Sequence, residues 1–305
     1  MAKEYKNGFK NERGSARFDK ARGMKNEEGR GNRYGEQRRA PREEPRRGFD
    51  EPRRNVEEEA MQGGVVIGRN AVRELLKSGR AIDKLLVQSG EREGALVPLV
   101  GEAIERGIPV VETERRKLDM LASHVPHQGI IAMAAEKEYV SVEDILAIAA
   151  ERGEKPLIVI ADGIADPYNL GAVIRCAEGC GAHGLIIPKR HAVGLTPVVT
   201  KASAGAIEHL AVAKVTNIAA TVDKLKEAGL WIFAAEAGGS DFRETDMNVP
   251  AAIILGSEGD GVSPLVLKKS DFVVSIPMYG KVNSFNVSTA AAVLLCEAAY
   301  QQRRV

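Results

Sequence analysis

Residues 276–300 read IPMYGKVNSFNVSTAAAVLLCEAAY. The run that leads into them, Phe272-Val273-Val274-Ser275-Ile276, is filled with β-branched and aromatic side chains, which predicts a buried strand stopped by Pro277. Asn283, Ser284, Asn286 and Ser288 then crowd hydrogen-bonding groups into a short loop around Phe285. From Val287 the apolar residues recur at helical spacing through Ala291, Leu294, Leu295 and Ala298, so a terminal helix is expected, capped by Asn286 or Ser288. A strand, a polar loop and a helix start in succession predict a ligand site at the carboxyl edge of a parallel sheet.

The preceding residues repeat that pattern from Pro156 onward. Leu157–Ala161, Gly184–Ile187, Leu210–Val215, Trp231–Ala235 and Ala252–Leu255 are near-continuous apolar runs separated mostly by helical segments. Strands of this kind are buried on both faces, so residues 156–305 are expected to form an α/β domain with a Rossmann-like, mostly parallel sheet. Its chemistry should gather in three loops at strand carboxyl ends. The first runs from Asp162 to Arg175, with Asn169 expected to cap a helix reaching Gly179 and Arg175 within its first two turns. The second, Leu255-Gly256-Ser257-Glu258-Gly259-Asp260-Gly261, is a turn in which missing side chains let a ligand approach the backbone. The third is the 276–288 loop. Alone, the glycine-rich turn is weak evidence, and its spacing is not that of a dinucleotide fingerprint, which would also follow the first strand.

Residues 64–136 predict a smaller three-layer α/β domain. Helical spacing at Val72, Leu75 and Leu76, and again from Leu96 to Ile104, alternates with extended runs at Lys84–Gln88, Ile108–Glu112 and Gly129–Ala134. Two clusters there look exposed: Gly68-Arg69-Asn70 at a helix start and His127-Gln128-Gly129 before a strand. The second reads either as an ordinary polar turn or as a contact surface, with Arg69, His127 and Gln128 as the candidate contacts. Residues 137–155 read as a charged, mostly helical connector.

Of the 305 residues, 44% are apolar, enough for two small cores, and the net charge of +1 conceals an uneven distribution. Residues 1–55 carry 17 Lys and Arg against 10 Asp and Glu, a net +7, so the remainder carries −6. The segment 1–60 lacks Leu and Ile altogether, which predicts a disordered basic tail. Paired arginines among Phe and Tyr suit loose contacts with RNA, and interspersed glutamates equally suit a solvating tail. No apolar run approaches the ~20 residues needed to span a bilayer, so a cytoplasmic protein with no membrane partner is expected. Cys176, Cys180 and Cys296 lack further ligands at metal-site spacing; buried thiols and no metal are expected.

Taken together, Asn169 to Arg175, Leu255-Gly256-Ser257-Glu258-Gly259 and Ser284-Phe285-Asn286-Val287-Ser288 resemble the three motifs of the SpoU (TrmH) family of RNA 2′-O-ribose methyltransferases. The His127-Gln128-Gly129 junction is similar to that of its ribosomal-RNA members, and the resemblance spans residues 64–305; Phe285 stands where the family usually carries Leu. It implies a C-terminal deep trefoil knot of the SPOUT type, a homodimer, and S-adenosylmethionine as cofactor. The implied cofactor contacts are Gly256, Ile276 and Phe285, with Leu255, Ser257, Gly259, Pro277 and Ser288 in the same motifs. Arg175, Asn169, Glu258 and Asn286 are the implied catalytic set, with Glu258 expected to accept from Asn286 or Arg175. Guanosine in 23S rRNA is the implied substrate; transfer RNA, or RNA binding in ribosome assembly without turnover, are the alternatives.

Overall fold

The computed structural model describes residues 64–90, 94–123 and 125–304, so the expected basic tail lies outside the described residues. In the smaller sheet, β1 (Gly64–Ile67), β2 (Ile82–Gln88), β3 (Val110–Thr113) and β4 (Ile130–Ala134) lie in the order β1-β4-β2-β3. The central strand β4 runs antiparallel to both neighbours, and β2 pairs with β3 in parallel. Helices α1 (Arg69–Ser78) and α2 (Leu96–Glu105) bury Leu75, Leu76, Leu99 and Val100 against one face. On the other face α3 (Arg115–Leu121) buries Leu118 among residues that include Ile67 and Ile131. The three layers are as expected. Strand β1 was not, because the four residues GVVI are too short to display a period.

Residues 142–152 form α4 (Val142–Arg152), opened by a capping box in which the Ser141 hydroxyl accepts from Asp144 N–H and the Asp144 carboxylate accepts from Ser141 N–H. This segment, expected as a connector, is a structural part of the larger unit: Ile145 is fully buried, and a Cβ at Gly184 would meet its side chain at 2.6 Å.

The larger sheet contains β5 (Leu157–Asp162), β6 (Gly184–Pro188), β7 (Ala211–Val215), β8 (Trp231–Asp241), β9 (Ala251–Gly256) and β10 (Phe272–Ser275). Every pairing is parallel, in the order β10-β8-β9-β5-β6-β7. Alternate β5 residues serve opposite cores. Leu157, Val159 and Ala161 meet α5 (Pro167–Gly179), α6 (Pro197–Ala202) and, later in the chain, α9 (Val287–Arg303). Ile158 and Ile160 meet α4, α7 (Ile218–Glu227) and α8 (Pro264–Lys269). Burial on both faces is why these strands read as unbroken apolar runs.

Three expectations need correction. Asp166 caps α5, accepting from Tyr168 N–H and Asn169 N–H at 3.2 Å, because Pro167 fits the first helical position and pushes the cap upstream of Asn169. Arg175 therefore lies in the third turn, not the first two. The cysteines are not plain buried thiols: Cys296 is exposed, Cys176 and Cys180 are half-buried, and the Cys180 and Cys296 sulfurs lie 3.3 Å apart. Burial, followed by the neighbouring Cys296, pushes the Cys180 thiol up to about 12. Among the described residues no helix is long and apolar enough to cross a membrane.

The two sheets meet through α1 and β1 on one side and α6 with the short 3₁₀ turn Ala206–Glu208 on the other. Glu74 receives His209 Nε2 at 2.9 Å, Arg80 reaches Glu208 at 3.4 Å, and Lys137 Nζ donates to the Glu208 carbonyl at 3.3 Å. Helix packing in the larger unit is equally close: a Cβ at Gly171 of α5 would meet Ala202 Cβ of α6 at 2.4 Å and Val199 O at 2.8 Å. Overpacking of that kind costs about 1–3 kcal/mol, more than the ~1 kcal/mol that alanine gains over glycine in a helix. Gly171→Ala is expected to lower the melting temperature by several degrees, at about 2–4 °C per kcal/mol. An unchanged or raised midpoint in thermal denaturation would show that α5 and α6 are not in this contact.

Candidate active site

Because all six strands of the larger sheet run parallel, the loops after β5, β8, β9 and β10 emerge at one edge. Asp162, the last residue of β5, ties two of them by accepting from Ser263 N–H at 2.9 Å. A further tie runs through Asn169. Its Nδ2 donates to the Glu258 carboxylate, and its Oδ1 accepts from Asn286 Nδ2 at 3.0 Å. Asn286 in turn caps α9, its Oδ1 accepting from Ser288 N–H at 2.9 Å and from the Ser288 hydroxyl at 2.6 Å. One side-chain chain thus joins the three expected loops. The donor to Glu258 is Asn169, which corrects the expectation that Asn286 or Arg175 would supply it.

Beside this chain opens a cavity of about 850 Å³. Leu255, Gly256, Ser257, Glu258 and Gly259 form one wall, and Ile276, Pro277, Phe285 and Asn286 form another. Asn169, Arg175 and Ser288 are not among its lining residues. Arg175 is exposed and makes no hydrogen bond or ion pair among the described residues. The volume lies within the ~300–1,000 Å³ typical of small-molecule sites, and both apolar and polar residues line it.

Gly256 is required for a reason other than the one its sequence suggests. A Cβ there would lie 2.1 Å from Gly261 C, because the loop folds back on itself through paired Ser257 and Gly261 backbone hydrogen bonds of 3.0 and 3.2 Å. Of Gly256, Gly259 and Gly261, Gly259 alone has open space in place of its side chain. Glu236, midway along β8, escaped sequence reasoning: its carboxylate accepts from Val262 N–H at 3.0 Å and packs against Gly261, bracing the same loop. A lone acid among alanines and glycines offers no local signal of that role.

The candidate contacts of the smaller domain are distributed differently. His127 is buried, not exposed; Gly129 N–H donates to its Nδ1 at 3.0 Å, which leaves Nε2–H for Asp119 at 3.0 Å. Gln128 is exposed with φ 54°, and its carbonyl oxygens receive Arg69 N–H, Arg69 Nε and Lys201 Nζ at 2.9–3.2 Å. Arg69 and Gln128 are brought together at the junction with the larger unit, while His127 supports their turn from below. Among the described residues no cluster of three His, Cys, Asp or Glu side chains with metal-binding geometry occurs.

This fold, with three conjoined loops over a cavity and a small α/β domain ahead of it, places the chain in the SpoU (TrmH) family of RNA methyltransferases, to which it belongs. Residues 156–296 match the SpoU rRNA Methylase family, and residues 65–140 match the domain described as RNA 2′-O ribose methyltransferase substrate binding. Over 239 residues, 78% of this chain and 95% of its relative, it is 45% identical to YacO of Bacillus subtilis (strain 168), which is assigned to the TrmH family of tRNA/rRNA methyltransferases. A protein of Staphylococcus haemolyticus (strain JCSC1435) with the same assignment is 43% identical over 78% of this chain and 96% of its own. Among solved structures, an RNA 2′-O ribose methyltransferase superposes with a TM-score of 0.68 at 25% identity, over 83% of this chain and 97% of that one. The SpoU methyltransferase AviRb from Streptomyces viridochromogenes, in complex with AdoMet, shares the fold with a TM-score of 0.66 at 24% identity, over 81% and 93%.

The two hydrogen bonds of Asn286 separate its roles. Asn286→Asp keeps an acceptor for Ser288 N–H but sets an oxygen against Asn169 Oδ1 in place of the donor. By the ~1 kcal/mol scale of capping changes the melting temperature should move by no more than a few degrees. Methyl transfer should fall about 10- to 100-fold, the equivalent of ~1–3 kcal/mol for an unpaired polar group at the site. Wild-type rates in this variant would reduce Asn286 to a helix cap.

Proposed function

We propose that this enzyme transfers a methyl group from S-adenosylmethionine to the ribose 2′-hydroxyl of a guanosine in 23S rRNA. The observation that carries the reading is the Glu258–Asn169–Asn286 chain, which unites the three family motifs beside one cavity. The cavity fits that cofactor: Leu255, Ile276 and the ring of Phe285 supply apolar surface, and the backbone around Gly256, Ser257, Gly259 and Pro277 supplies polar groups. Ser288 acts from behind, through Asn286. When bound there, S-adenosylmethionine supplies an electrophilic methyl group on a sulfonium centre.

The chain's own residues then have the task of positioning the hydroxyl. A guanidinium, with a pKa above ~12, is a poor base, so Arg175 orients the hydroxyl and stabilises the alkoxide that develops on it. A homodimer, with the site completed near the subunit interface, is part of the proposal. Asn169 and Asn286 hold the loop geometry, and Glu258 anchors Asn169, through which Asn286 is held. A deep trefoil knot over the last third of the larger domain is part of the proposal; return of α9 against α5 and β9 supports it. The substrate-binding domain at 65–140 favours ribosomal over transfer RNA, and Arg69 with Gln128 is its proposed RNA contact.

Tritium transfer from labelled S-adenosylmethionine to RNA of a strain lacking the gene tests the reading, and mapping of ribose methylation in that strain identifies the nucleotide. Label confined to transfer RNA would overturn the 23S assignment. Arg175→Ala should lose about 10²- to 10³-fold in transfer, the scale of a lost oxyanion donor, while calorimetry shows unchanged cofactor affinity. Arg175→Lys retains the charge without the planar fork and should keep weak activity. Weakened cofactor binding in Arg175→Ala would contradict this role.

A further inference from the structure

The carboxyl edge of the larger sheet carries a second feature, outside the cavity. Directly after β6, Lys189, Arg190 and His191 are all exposed. The backbone that presents them is pinned on both sides. Lys189 N–H donates to Val215 O at 2.8 Å, and Val193 N–H donates to Ile164 O at 3.1 Å, within the loop that leads to Asn169. Between these anchors His191 takes φ 58°, a left-handed conformation that turns the chain sharply. Its carbonyl and the Ser257 side chain of the cavity wall both adjoin Gly163, at 3.8 and 3.7 Å from where a Cβ would stand. The turn is therefore built against the loops that form the site.

Charge distinguishes it further. The Lys189 and Arg190 side chains make no hydrogen bond or ion pair among the described residues, whereas Arg243, Lys269 and Arg106 hold Asp241, Asp223 and Glu102 at 2.5–2.6 Å. Three carboxylates of the adjoining loops are already engaged, Asp162 with Ser263 N–H, Asp166 with the start of α5, and Glu258 with Asn169, and Asp260 forms no ion pair with either cation. Two adjacent cations on a fixed turn are thus left for an anion from outside the chain. The turn also leads, through α6, to Lys201 on Gln128, so it lies in sequence between the substrate-binding domain's junction and the site.

We infer that Lys189 and Arg190 bind backbone phosphates of the RNA beside the nucleotide presented for methylation. The inference rests on the RNA methyltransferase reading above. Arginine's planar fork engages a phosphate through two donors and lysine as a point charge, so the pair fixes the register of the strand without reading its sequence.

The test uses the full chain and unmodified large-subunit ribosomal RNA transcribed in vitro, with affinity measured over a salt series. The double variant Lys189→Ala/Arg190→Ala should bind this RNA about tenfold or more weakly at moderate salt. Its slope of log affinity against log salt should flatten by about two, one for each lost phosphate contact. Arg190→Ala alone should flatten it by about one, which keeps the test open if the double variant does not fold, and Arg190→Lys should restore most of the slope. Cofactor affinity by calorimetry should stay near that of the unaltered protein. An unaltered protein that binds and methylates RNA, with variants of equal affinity and slope, overturns this inference alone. An unaltered protein that binds RNA without methylating any, with the variants still weakened, overturns the functional reading and leaves the phosphate contact standing. If the unaltered protein does not bind RNA, both fall.

Discussion

The side-chain amide of Asn169 is the point at which the site is held together. It donates to Glu258 in the loop after β9 and accepts from Asn286 at the start of α9, so a single residue of α5 ties elements from three strands. An amide is suited to this because it offers both a donor and an acceptor; a carboxylate would repel Glu258, and a hydroxyl lacks the span. Asp166, in capping α5, fixes the first turn on which Asn169 stands. Asp162 repeats the logic one layer lower by receiving Ser263 N–H.

That connection is available only because of strand order. β5 and β9 are neighbours although about 90 residues separate them, so their carboxyl ends deliver two loops side by side. β8 and β10 continue the row, and close backbone packing keeps it tight. A Cβ at Gly239 of β8 would meet Val273 O of β10 at 2.5 Å, and Gly256 faces its own loop at 2.1 Å. At these positions glycine is required by the protein's own backbone, with the cavity as a consequence.

The junction between the two domains follows a different physical rule. Glu208 is buried beside Arg80 and Lys137; burial raises its carboxyl and lowers both cations, while the opposite charges pull each back toward the ionised form. Such clusters are weak sources of net stability, since desolvation offsets attraction. Their value lies in orientation: a charge stranded there by any other docking geometry would have no partner. The smaller domain is thereby held in one relation to α6, the helix that also follows the Lys189–Arg190 turn.

The sequence by itself determined the alternation of strands and helices, the parallel class of the larger sheet, the apolar face of α9 and the identity of the three loops. Each of these depends on local chemistry: side-chain period, proline and glycine, and the capping capacity of Asn286. Tertiary structure alone decided which groups meet. Asn169 lies 89 residues from Glu258 and 117 from Asn286, and nothing local distinguishes its role from that of the cap it was expected to be. Glu236 bracing the glycine loop, His127 turned into the core, β1 on the edge of the mixed sheet and Arg175 outside the cavity lining likewise follow from pairings between distant segments. Hydrogen bonds of this kind exist only once strand order has brought their partners together, so no window of sequence contains them.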